Sequence, residues 1–218
     1  MILRHVAVAG LAVIALSGCQ AEPPGAAAVV DGTTISMSRA DDAAEVYCRL
    51  TLLSAQQQGV SSVSNAEVRR QAVSDLVLAR VADRVARERD LQVPTSSYTL
   101  SAAQRANVAQ AVPGLDEKTA VGVVEAGQRT YVIATLLGEQ LAGKPLDASQ
   151  GTDAFQSAGL DILMKRLRSL DVRYDPRFGL ARDSQPGASS TGSLSVGVKA
   201  ADTAEATDTS LPASQRCA

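Results

Sequence analysis

The chemistry open to this chain rests on very few side chains. It has three cysteines, Cys19, Cys48 and Cys217, and a single histidine, His5. His5 precedes Cys19 in a leader-like segment, so the chain beyond Cys19 contains no histidine at all. That excludes Ser-His-Asp and Cys-His nucleophiles, histidine metal sites and imidazole acid/base chemistry from this part. Cys48 and Cys217 could pair as a disulfide outside the cytoplasm. Equally, Cys48 could be a small buried apolar residue and Cys217 a free thiol near the chain end. A redox role for the two would need a lowered thiol pKa, and neither a Cys-x-x-Cys nor a histidine is there to lower it. Gly138-Glu139-Gln140-Leu141-Ala142-Gly143-Lys144 has the spacing of a phosphate-binding loop. Pro145, however, stands where a Ser or Thr hydroxyl should meet Mg²⁺, and the stretch ends a helical pattern instead of opening one. No cysteine pair is close in sequence and no acidic run has calcium-loop spacing, so no metal site is predicted. Adjacent Asp41 and Asp42 are best placed in the first turn of a helix, where the dipole favours negative charge. These residues predict no enzyme and no cofactor.

The segment before Cys19 has its own logic. Arg4 is followed by an apolar run from Val6 to Leu16, too short for a bilayer core that needs about 20 apolar residues. A basic start, a short hydrophobic centre and small residues before a break point form the pattern of an export signal over residues 1–18. Leu16-Ser17-Gly18-Cys19 resembles the lipobox of bacterial lipoproteins. The resemblance implies that the signal is cut before Cys19, that the Cys19 thiol carries a diacylglycerol, and that the new amino terminus is acylated. Leu16, Ser17 and Gly18 would be the recognition positions. Two or more acyl chains anchor stably, at ~0.8 kcal/mol per buried CH₂. The protein is therefore expected at a bacterial cell membrane, lipid-anchored and facing outside the cytoplasm.

Removal of residues 1–18 from 218 leaves 200, room for one domain with a tail. With two Phe, four Tyr and no Trp, the core must be aliphatic. The net charge of −2, with acids and bases interspersed, gives no footprint for nucleic acid. Residues 19–27 form a polar spacer containing Glu22-Pro23-Pro24-Gly25. Ala28 to Ile35 reads as a β-hairpin about Asp31-Gly32, a pair suited to the positive φ angles of a type I′ turn. Ser38, with Asp41 three residues on, is the expected cap of a helix over 39–57 that ends at Gly59. Ser64 and Glu67 form a capping-box signal for a second helix to about Arg89, with Val73, Leu76, Val77, Val81 and Val85 on its apolar face. Its arginines and acids read as a solvated face. A third helix begins near Thr99 or Ser101 and stops before Pro113. Asp116 caps a fourth, to about Leu141, with Val121, Val124, Tyr131, Leu136 and Leu137 available to the core. Gly122 and Gly127 should bend it or let it pack closely. A fifth, over 152–170, carries Phe155, Leu160, Leu163, Leu167 and Leu170 in one stripe. Asp171 to Tyr174 alternates like a strand able to pair with the hairpin. From residue 180 to 218 the small and polar composition predicts a disordered tail. The expected fold is thus mainly α: about five helices, a short N-terminal β-hairpin and a C-terminal strand closing the domain.

Three stretches together resemble the N-terminal domains of SurA-type and PrsA-type extracytoplasmic chaperones. Ala28-Val29-Val30-Asp31-Gly32 through Ser38 is similar to their opening strand, Gly turn and capped helix. Ala72 to Pro94, with Asp75-Leu76-Val77, Ala86 and the ending Arg87-Glu88-Arg89-Asp90-Leu91-Gln92-Val93-Pro94, is similar to their long second helix. Asp171 to Gly179 resembles the short strand and Pro-Arg-Phe-Gly segment that closes such domains. The resemblance spans residues 28–179. Members often carry a parvulin prolyl-isomerase domain, for which this chain has neither the length after Gly179 nor the paired histidines. What the resemblance implies is a chaperone-like helical domain that binds exposed apolar stretches of unfolded or newly exported proteins, without covalent chemistry. The alternative is an adaptor lipoprotein that docks one folded envelope partner. Composition and pattern name no client-binding residues.

Overall fold

The computed structural model describes residues 23–145, 151–184 and 212–217. The signal segment, Leu16, Ser17, Gly18 and Cys19 lie outside the described residues. At the start, β1 (Ala26–Val30) and β2 (Thr33–Ser36) form the expected hairpin, with Val30 opposite Thr33. Asp31 and Gly32 take φ values of 49° and 79°, the two positive angles that a type I′ turn demands. All five residues of β1 are buried, because β4 (Val172–Tyr174) pairs on its other edge and makes it the centre of a β2-β1-β4 antiparallel sheet. The hairpin and the end of the helical domain are therefore one structure, as the alternation in 171–174 predicts.

Helix α1 (Met37–Gln56) starts earlier than expected. Its cap is Ser36, not Ser38: the Ser36 hydroxyl accepts from the Arg39 amide at 3.2 Å. The hairpin decides this, since Ser36 is still paired with Ala26 and the Met37 amide donates to the Gly25 carbonyl at 2.7 Å. Asp41 thus lies beyond the first turn, and its carboxylate pairs with Arg69 at 2.5 Å. Ser64, within the two-residue strand β3 (Val63–Ser64), caps α2 (Asn65–Glu88) by accepting from the Glu67 amide. Ser101 and Gln104 form a reciprocal capping box at α3 (Ala102–Ala111). Asp116 caps α4 (Glu117–Ala142), and α5 spans Asp153–Ser169. The five described helices and the small sheet are the expected mainly α fold.

The core is aliphatic. Val73, Val77, Val81, Val85, Ile133, Leu137, Leu163, Leu167 and Val172 are all buried in one cluster that also contains the hairpin. A second cluster, with Val46, Leu100, Val108, Val112, Ala120 and Val121, fills the space beneath α3. The most extensive helix contact is between α4 and α5. Gly138 and Gly159 make it close. A Cβ on Gly138 would collide with the Phe155 carbonyl, and one on Gly159 with the Ala134 carbonyl. Gly122 and Gly127, expected to do this, do not: Gly122 faces open space and Gly127 meets only the Tyr47 hydroxyl, at ordinary contact distance.

The expectation of a tail that is disordered throughout 180–218 fails at both described ends. Residues 180–184 continue from the fold, where the Tyr174 hydroxyl hydrogen-bonds Ser184. At the far end β5 (Arg216–Cys217) pairs antiparallel with β3, placing Cys217 opposite Val63. Cys217 is buried with Val63 and Val68 and is joined to Cys48 of α1 in a disulfide that spans 169 residues of sequence. Residues 185–211 lie outside the described residues.

Candidate functional site: an apolar groove between helices

Two of the residues expected to serve the core do something else. Tyr131 is 53% exposed, and Leu160 is only half-buried. Both face a groove of about 510 Å³, within the range of ~300–1,000 Å³ usual for ligand pockets. Four helices build it. Tyr47, Leu50 and Thr51 come from α1, Gln71, Asp75 and Leu78 from α2. Helix α4 supplies Val123, Val124, Gln128 and Tyr131, and α5 adds Leu160 and Met164. Gly127 lies in the wall, where its missing side chain leaves room beside Tyr47. The surface is largely aliphatic and aromatic, with a few polar groups set into it.

The groove follows from helical spacing. Tyr47, Leu50 and Thr51 recur at three and four residues on α1, as do Gln71, Asp75 and Leu78 on α2, so each set shares one face. The same helix also carries the buried valines of the core. Leu160 and Met164 stand four apart on α5 and pack against the edge of the main cluster. Four faces therefore converge without meeting.

Within this apolar wall sits one carboxyl group, Asp75. The Tyr47 hydroxyl is its neighbour across the α1–α2 contact. Burial raises the Asp75 pKa above the ordinary carboxylate value, and the Tyr47 hydrogen bond only partly opposes that. Burial raises the Tyr47 phenol pKa as well, helped by the neighbouring Asp75 charge. Among the described residues no arginine or lysine forms an ion pair with Asp75. Three arginines of α2 are engaged elsewhere: Arg69 with Asp41, Arg70 with Glu67, and Arg84 with Asp31 and Glu88. The expected solvated charge face thus carries exposed pairs, of a kind that adds little to stability.

The residues singled out for chemistry fall apart in space. Asp41 and Asp42 are on the first half of α1. Gly138 to Lys144 forms the last turns of α4, ending in Gly143 in the left-handed conformation at φ 66°. Among the described residues no group of three or more His, Cys, Asp or Glu could hold a metal ion, and no helix is long and apolar enough to cross a membrane. Among the described residues, only Cys48 and Cys217 of these are brought together. The groove residues were not separable from core residues by pattern, since Leu50, Leu78 and Leu160 satisfy the same periodicity as the buried positions. The one signal was Asp75, a charge set among the apolar positions Val73, Leu76 and Val77. In comparisons with family models, curated proteins and solved structures, the chain finds no match.

Proposed function

We propose that the protein is a lipid-anchored extracytoplasmic chaperone that holds apolar stretches of unfolded or newly exported polypeptides in the groove between α1, α2, α4 and α5. The observation that carries this reading is the groove itself. It is open, mainly apolar and lined by residues from four helices, Tyr131 among them. Such a surface gains from covering aliphatic side chains, at about 25 cal/mol per Å² removed from water. The Cys48–Cys217 disulfide supports the exported location, because such bonds persist in oxidising compartments. The lipobox-like Leu16-Ser17-Gly18-Cys19 supports anchoring at Cys19, and the resemblance over residues 28–179 to SurA-type and PrsA-type domains supports the client class. Binding of this kind needs no covalent step and no cofactor.

The test is light scattering from a chemically denatured client diluted into buffer containing the full chain. Near-stoichiometric protein should suppress the scattering, while an equal mass of inert protein should not. Val124→Asp, which places a charge in the groove wall, should lose most of the suppression while keeping the helical circular-dichroism signal. Unchanged scattering across several clients would overturn the proposal and favour an adaptor that docks a folded envelope partner.

A further inference from the structure

The groove holds a feature that an indiscriminate apolar surface would lack. Asp75 lines it, is half-buried, and has beside it only the neutral hydroxyl of Tyr47 among the groups that shift its titration. A carboxylate removed from water is costly unless a positive charge or several donors compensate it. Here a single phenol stands against that cost, and no arginine or lysine among the described residues forms an ion pair with Asp75. The uncompensated charge faces a cavity whose walls include Leu50, Leu78, Val123 and Leu160.

We infer that the groove selects polypeptide segments in which a lysine or arginine lies among apolar residues, with the cationic head of that side chain paired to Asp75. The inference rests on the chaperone reading and specifies its substrate class. Charge complementarity argues for this occupant over a purely aliphatic one. A lysine side chain combines an apolar four-carbon stem with a terminal cation. The stem matches the walls and the ammonium matches the carboxylate. An acidic segment would place a second negative charge in the same poorly solvated space and be rejected. Pairing would also relieve the desolvation of Asp75, so binding energy is available at this position that an apolar client cannot reach. Asp75 is in this sense a specificity-determining residue, with Tyr47 fixing its orientation.

The experiment uses the full chain and three fluorescein-labelled twelve-residue peptides with blocked ends. Each is rich in Leu, Val and Ser and differs only at the central position, which is lysine, norleucine or glutamate. Fluorescence anisotropy at pH 7 reads the affinities. Lysine should bind about tenfold tighter than norleucine, in keeping with a hydrogen bond to a charged group, and glutamate weakest. Asp75→Asn should bring lysine and norleucine to equal affinity without weakening norleucine. Tyr47→Phe, which keeps the carboxylate, should keep the preference for lysine. A merely structural Asp75 would instead make both variants weaken all three peptides alike. Equal binding of lysine and norleucine to the unaltered protein overturns the inference and leaves the chaperone reading standing, with no variant required. If none of the three peptides binds, the groove reading and the inference fall together.

Discussion

Asp75 costs the fold stability, and the pH dependence of that cost is fixed by sign. Its carboxyl is held above the ordinary value of about 3.9, chiefly by burial. The folded state therefore binds the proton more tightly than the unfolded chain does. The penalty is absent below the unfolded pKa, grows as pH rises towards the raised folded pKa, and is complete above it. Asp75→Asn keeps an acceptor for the Tyr47 hydroxyl and removes the charge. It should raise the midpoint of thermal unfolding at pH 7 and leave it nearly unchanged at pH 3.5, followed by circular dichroism. An equal shift at both pH values would trace the effect to packing, not to the charge. A residue that destabilises the fold and faces an open groove is a common signature of function. The sequence could flag Asp75 as a charge inside an apolar run, but not what surrounds it, because the groove walls come from four separate helices.

The elements were legible where their signals are local. Ser64, Ser101 and Asp116 cap α2, α3 and α4 because a side-chain oxygen and an amide three residues on are all that a cap needs. Ser36 against Ser38 was not decidable that way. Both are serines before a helical pattern, and the choice falls to the strand pair that still holds Ser36. The glycines divide along the same line. Every glycine in α4 weakens a helix equally by propensity, and only the approach of α5 distinguishes Gly138 from Gly122 and Gly127. Gly159 faces the same crossing from the other side. Gly159→Ala would gain helix propensity, yet the added methyl must push against the Ala134 carbonyl. Separation of the helices should prevail, destabilising the protein by about 1–3 kcal/mol, as overpacking does. Urea unfolding measures this. A neutral or stabilising outcome would mean that α4 and α5 do not pack as closely as described. Gly122→Ala, in open space, is the matched control and should stabilise by a few tenths of a kcal/mol up to about 1 kcal/mol.

At the scale of the whole molecule, the chain closes on itself twice. The β1–β4 pairing joins the start of the domain to its end, and this closure is legible because 171–174 alternates beside a hairpin with a free edge. The second closure was legible only as one option, a Cys48–Cys217 pair, since β3 and β5 are two residues each, too short for periodicity to mark either. Composition alone would leave Cys217 in a solvated tail, but a thiol partner in α1 makes the return worth its entropy. The bond spans 169 residues, and cross-links over long loops restrict the unfolded chain most, typically stabilising by about 2–4 kcal/mol. Reduction with dithiothreitol should therefore lower the urea midpoint, and a Cys48→Ala/Cys217→Ala variant should match the reduced protein. Hydrogen exchange should localise the change, with protection lost at β3 and the chain end and retained in the β2-β1-β4 sheet, which makes no use of the bond. An unchanged midpoint on reduction would mean that β5 and the buried contacts of Cys217 hold the chain end unaided. The position of the bond gives it a further consequence. Cys48 follows Tyr47 directly, and Tyr47 packs against the cluster that Cys217 completes. The last residues of the chain thus brace the α1 wall of the groove, and the reduced protein should bind the lysine peptide more weakly than the oxidised one.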